Sequence, residues 1–200
     1  MTLAATPEDK EAFYAQVLER RVQDILDAVA LKDPEKTARV RNILLLQYRS
    51  LRARDEAIQA RLAEQQKAGG IALTREELFP ALSKPLHDWF VGVLALDLTP
   101  EQLETVKDKM TYNKVQVTFD AYCKIVPNLT ESDKAKIVEL LKAARDEAIC
   151  GGSAGEKSEI FQKYKDQINA YLDAHGHDVA QAYKDWEAKQ AAQPQAAASK

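Results

Sequence analysis

The chain has 200 residues, a net charge of −3 and an apolar fraction of 46%. That length holds one large domain or two small ones, and the apolar content suffices for a real core. A slightly acidic balance gives no general attraction to nucleic acid or to an anionic membrane surface, and no apolar run approaches the roughly 18 residues that span a bilayer.

Glycine and proline are scarce, while Ala, Glu, Lys, Leu and Gln are abundant, which favours helix almost throughout. The few breakers therefore act as punctuation. Thr6-Pro7-Glu8-Asp9 opens a first helix: a hydroxyl cap, proline at the first helical position, then acids facing the positive end of the helix dipole. Val22, Ile25, Leu26 and Val29 supply its apolar stripe. Asp33-Pro34-Glu35 opens a second, long helix over about 34–67. Its buried side carries Val40, Leu44, Tyr48, Leu51, Ile58 and Leu62, and Gly69-Gly70 stops it.

Thr74 begins a third helical region, in which Pro80 and Pro85 are expected to break or kink the rod. The stretch from Leu86 to Leu96 is the most apolar in the chain and is expected to be central. Thr99-Pro100-Glu101-Gln102 is a capping box for a helix ending near Lys109. A turn at Met110-Thr111-Tyr112-Asn113 leads into a short helix that stops at Pro127. Val115-Gln116-Val117 alternates, but three residues do not make a sheet. Thr130 to Asp133 start another helix, with Ile137, Leu141, Ala144 and Ala148 at helical spacing. A further helix carries Ile160, Phe161, Tyr164, Ile168, Tyr171 and Leu172, and the last holds Val179, Tyr183 and Trp186. The reading is all-α: a multi-helix bundle with one long helix, short connections, a single domain over residues 1–190 and a disordered tail over 191–200.

Two cysteines, Cys123 and Cys150, fall on consecutive helices joined near Pro127, and Cys150 lies about 30 Å beyond the joint. A disulfide needs Cα atoms within about 7 Å, so two free thiols are expected. "LTREEL", "LTPEQL" and "LTESDK" echo one another, but their unequal intervals favour a recurrent staple-and-cap solution over a duplication.

Three stretches are candidates for chemistry. "GGSAGEKS" approximates the phosphate-loop pattern, yet counting from Gly151 the required second glycine falls on Glu156, and a helix rather than a strand precedes it. Ser153 and Glu156 read better as a capping box. "DAHGHD" gathers Asp173, His175, His177 and Asp178, residue types that bind transition metals. Gly176 is also the expected helix stop and Asp178 a natural cap, so capping is the preferred reading and no metal or cofactor is assigned. His87, alone beside Trp89, reads as a partly buried structural residue.

The third candidate is aromatic. Tyrosines and other aromatics concentrate in the second half, and sugars stack on such faces while nearby polar groups bond the hydroxyls. Aromatics at helical spacing are ordinarily core, but Tyr112 and Asn113 fall in a turn. The candidate ligand groove comprises Tyr112, Asn113, Arg145, Tyr164, Lys165 and Asn169. The arginines of the long helix (Arg39, Arg41, Arg49, Arg52, Arg54 and Arg61) read as its solvated face, balanced by Glu35, Asp55, Glu56 and Glu64. No nucleophile elbow, His-Glu-x-x-His or Cys-x-x-Cys is present.

The strings "LTPEQLETVKDKMTYNKVQVTFDAY", "PNLTESDKAKIVELLKAARDEAI" and "EKSEIFQKYKDQINAYLDAHGHD" together resemble the bacterial family known as domain of unknown function 3826. The resemblance runs from about Ala28 to Trp186 and is densest after Leu98. In the family pattern an arginine commonly stands at the place of Gln167, and an Ala-Gly-Tyr-like turn at that of His175-Gly176-His177. The resemblance implies an exported protein, periplasmic or secreted, with a suggested sugar-binding role and no established activity. The opening "MTLAATPEDK" has no basic segment followed by an apolar one, so on this reading a leader has been trimmed; a cytoplasmic protein is the other option.

Two functional readings follow. One is a non-catalytic, extracytoplasmic helical protein that binds carbohydrate or a related small ligand. The other is a protein-interaction module, such as a periplasmic chaperone or scaffold, with an exposed apolar strip on the long helix near Leu44, Tyr48 and Leu51.

Overall fold

The computed structural model describes residues 6–68 and 73–192. Among them the chain is all-helical, with eight helices: α1 (Pro7–Val29), α2 (Pro34–Ala68), α3 (Arg75–Leu94), α4 (Pro100–Met110), α5 (Lys114–Ile125), α6 (Glu131–Ala148), α7 (Ala154–Ala174) and α8 (Val179–Ala192). No helix among the described residues is long and apolar enough to cross a membrane. The glycine pair expected to end the long helix lies outside the described residues, as does most of the expected tail; α8 itself continues to Ala192.

Local chemistry places the helix starts. Thr6, Thr74 and Thr99 each accept the backbone N–H three residues on, from Asp9, Glu77 and Gln102, whose side chains reach back to the threonine N–H. Asp33 Oδ1 accepts from the N–H groups of Glu35 and Lys36 at 2.9 and 3.2 Å and so starts α2. Each such cap contributes about 1 kcal/mol by satisfying donors the helix cannot reach. Helix ends use left-handed residues: Ala30 (φ 53°) closes α1, and Gly176 (φ 90°) follows α7.

Pro80 and Pro85 do not break α3, which runs unbroken from Arg75 to Leu94. Each proline removes a single N–H donor. The apolar face bearing Phe90 and Leu94, both wholly buried, outweighs that loss. The central apolar stretch is only half internal, for Leu96 is 82% exposed.

The described residues group into two compact units. The first contains α1 to α4, up to Tyr112, with the segment Ile149–Ala154. In it α2 packs against α1 and α3, and α1 packs against α4. Its core is built from Leu18, Val22 and Ile25 of α1, Val40, Leu44 and Leu51 of α2, Phe90 and Leu94 of α3, and Val106 and Met110 of α4. Ile149 and Cys150 join that core. Cys150 therefore sits just past the end of α6 rather than within it, and both cysteines are free thiols.

The second unit contains Asn113–Ala148 and the chain from Gly155 onward. There α5 packs against α6 and α8. Its buried side chains include Tyr122, Ile137, Leu141, Phe161, Ile168 and Leu172, those of α6 and α7 spaced by fours and sevens as an inward stripe requires.

Candidate functional site

A cleft of about 390 Å³ lies in the first unit, within the size range of small-molecule sites. One face of α2 forms its longest wall, presenting Tyr48, Leu51, Arg52, Asp55, Glu56 and Gln59. Those positions are i, i+3, i+4, i+7, i+8 and i+11, a single stripe of an α-helix. From α1 come Tyr14, Leu18 and Arg21, and Gly152 enters from the 149–154 segment. Leu18 and Leu51, each 1% exposed, link the cleft to the core.

Polar contacts fix the wall. The Tyr14 hydroxyl donates to the backbone carbonyl of Tyr48 at 3.4 Å. The Arg52 guanidinium lies 4.5 Å from the centroid of the Tyr14 ring and donates to Glu11 at 2.7 Å and to Glu56 at 2.9 Å. A cation over an aromatic face is attracted by the ring quadrupole. Burial pushes the Tyr48 phenol up to about 12, against the opposing field of Arg21. Its hydroxyl is thus a donor at any physiological pH. Burial likewise raises the Tyr14 phenol, with Arg52, Arg21 and Arg49 acting the other way.

Arg54 holds Asp55 of the cleft wall. It is not on a solvated face, as the charge pattern suggests, but buried, its side chain 3% exposed. Its spacing explains why: Arg54 stands three residues after Leu51 and four before Ile58, on the inward stripe. One terminal nitrogen donates to Ser83 Oγ at 2.7 Å and to the Cys150 carbonyl at 2.6 Å. The other, with Nε, donates to Asp55 Oδ1 at 2.7 and 3.2 Å. The guanidinium also lies 4.4 Å from the Phe79 centroid. Arg75 adds a second cation 3.8 Å from Asp55 Oδ1.

The residues singled out in the sequence lie elsewhere. Tyr112 is 46% exposed, and it and Asn113 are consecutive left-handed residues, φ 59° and 54°. In the second unit, Arg145 is buried on α6, its Nε 3.6 Å from Asp146 Oδ1. Asn169 and Lys165, one turn apart on α7, converge on a single hydroxyl: Tyr122 donates to Asn169 Oδ1 at 2.7 Å and to the Lys165 carbonyl at 3.3 Å. Tyr164 instead donates to Glu147 Oε2 at 3.0 Å, a carboxylate shared with Lys163. Burial first, and then that carboxylate, push the Tyr164 phenol up to about 12.

The histidine stretch performs the capping role. Asp178 Oδ1 accepts the Gln181 N–H at 2.9 Å, and Asp173 Oδ1 accepts that of Val179 at 3.1 Å. His175 donates to the Tyr171 carbonyl at 2.7 Å and stacks on its ring. His177 Nε2 donates to Asp133 Oδ2 at 3.2 Å. Asp133 also accepts from the Thr130 hydroxyl and N–H at 2.6 and 2.9 Å. Those Thr130 bonds, then His177, hold its carboxyl down from 3.8 to about 2. Among the described residues no three His, Cys, Asp or Glu side chains are gathered as a metal site.

Sequence reasoning missed Tyr14, Arg21 and Gln59. The first two lie at i and i+7 around Leu18, along the edge of the α1 apolar stripe, a weak signal that such a position borders both core and solvent.

No curated protein matches the sequence. A family model described as "Protein of unknown function (DUF3826)" matches residues 15–192, which takes in the cleft stripe of α2, Arg54 and the whole of the second unit up to α8. With that match spanning most of its length, the chain belongs to the DUF3826 family.

Proposed function

We propose that this protein is a non-catalytic binder of carbohydrate or a related small ligand, held in the α1–α2 cleft, and that it acts outside the cytoplasm. The cleft carries the reading: it joins an apolar floor at Leu18 and Leu51 to tyrosine and Arg, Asp, Glu and Gln side chains on rigid helices. Sugars present the complementary surface, apolar C–H faces edged with hydroxyls. Both wall carboxylates, Asp55 and Glu56, are engaged by arginines, which fixes their place in the wall. The extracytoplasmic placement rests on the family resemblance alone.

Nothing comparable favours an interaction module. Leu44 and Leu51 are 0% and 1% exposed, so the apolar strip of α2 is spent inside the first unit, and Tyr48 lines the cleft.

A glycan array followed by calorimetry on the hits tests the proposal. Binding should be weakened about tenfold or more by Tyr14→Ala, which removes the ring under Arg52. Asn169→Ala, in the second unit, serves as a comparator outside the cleft. An array without hits, or hits that lose affinity through Asn169 but not Tyr14, would move or abolish the site.

A further inference from the structure

Charge pairing in the cleft is unequal. Arg52 is taken up by Glu11 and Glu56, and Asp55 by Arg54 and Arg75. Arg41 of α2 is paired with Glu19 of α1. Arg21 is left over: it lines the cleft, and no carboxylate of the described residues lies within ion-pair distance of it. It lines the same cleft as the Tyr14 and Tyr48 phenols, and its charge acts on both. Arg49, which also acts on Tyr14, is likewise without a carboxylate partner among the described residues. The Tyr48 hydroxyl makes no hydrogen bond to any described residue, although the ring is largely buried.

A half-buried donor and a free guanidinium beside it are complementary to an anion. A neutral sugar would use the tyrosine but leave the cation to water. A carboxylate or sulfate group offers oxygens in the fork geometry that arginine matches, and hydrogen bonds to charged groups are stronger than neutral ones.

Resting on the cleft as the binding site, we propose that its ligand is an acidic sugar, bearing a carboxylate or a sulfate ester, with Arg21 pairing the anion and the Tyr48 hydroxyl donating a second bond. Lysine at position 21 would keep the charge and lose the fork, and glutamine would lose both.

Titration calorimetry on the full chain distinguishes the outcomes. The probes are trigalacturonic acid, its full methyl ester, and a galactose trisaccharide carrying a 6-sulfate. The parent should bind an acidic probe about tenfold tighter than the ester, the worth of one charge-assisted contact. Arg21→Gln should bring acid and ester to within about twofold, with Arg21→Lys between. Because Arg21 is exposed, a far-UV spectrum and melting temperature matching the parent are expected and certify the variants. Tighter binding of the sulfated probe than the uronate assigns the anion as a sulfate ester. Acid and ester bound equally, with Tyr14→Ala still weakening both, would overturn the charge inference and leave the cleft standing. Absence of binding by every probe overturns both.

Discussion

Gln47 is the clearest internal test of the energetics. It sits on α2 between Leu44 and Leu51, is 0% exposed, and neither its amide nitrogen nor its amide oxygen meets a hydrogen-bonding group among the described residues. Burying an amide without partners costs about 1–3 kcal/mol, since the water it leaves is not replaced. Methionine has nearly the same length, is unbranched and carries no polar donor. Gln47→Met should therefore stabilise the fold by about 1–2 kcal/mol, a rise of roughly 2–8 °C in melting temperature for a chain of this size. The assay is urea unfolding followed by far-UV circular dichroism, reading the midpoint at unchanged slope. Gln66→Met, on the exposed side of the same helix, should stay within about 0.5 kcal/mol and controls for helix propensity. If Gln47→Met instead loses about 1 kcal/mol or more, the amide is satisfied by something other than the chain, and the reasoning is wrong.

Two further predictions concern the backbone and pH. Ala30 holds φ 53° on an exposed surface, so Ala30→Gly should stabilise by about 1 kcal/mol, whereas Gly176→Ala, at φ 90° with open space around the added methyl, should cost about 1–2 kcal/mol; thermal melts of the pair check both. The Asp133 carboxyl is depressed in the fold, so the stability it contributes is complete above its unfolded value of 3.8 and is lost as pH falls through about 2. Asp133→Asn should therefore be most destabilising above pH 4 and converge on the parent toward pH 2; a gap that stays constant across that range would refute the linkage.

The fold was legible where its cause is local. Thr-Pro-Glu and Asp-Pro-Glu declare helix starts because the capping oxygen, the missing N–H and the acids act within one turn. The long helix, the apolar stripes of α1, α6 and α7, and the caps around Gly176 follow from the same short-range rules. The prolines of α3 misled because a penalty on one hydrogen bond says nothing about the packing of Phe90 and Leu94 that offsets it. Arg54 misled because charge was read before position: its register places it inward, and the groups that accept its donors, Ser83 and Cys150, lie 29 and 96 residues away. The cleft was invisible for the same reason. Tyr14 and Tyr48 stand 34 residues apart and meet only once α1 and α2 are packed. No periodicity in either helix announces that the seam between them stays open.

Arg54 also decides what the cleft can recognise. A buried guanidinium is tolerated only when its donors are used, because an uncompensated charge in the interior costs several kcal/mol. The Ser83 hydroxyl and the Cys150 carbonyl are neutral, and Asp55, its neighbour on α2, supplies counter-charge. That commitment withdraws Asp55 from the cleft even though it stands in the wall. Glu56 is withdrawn in the same manner by Arg52, which is in turn held over Tyr14. The wall thus contains two acids and two arginines by composition, yet the pairing leaves Arg21 as the charge facing the space. A formal count of the lining residues would call this surface balanced. The geometry makes it cationic, because the buried Arg54 engages Asp55 while Arg52 engages Glu56.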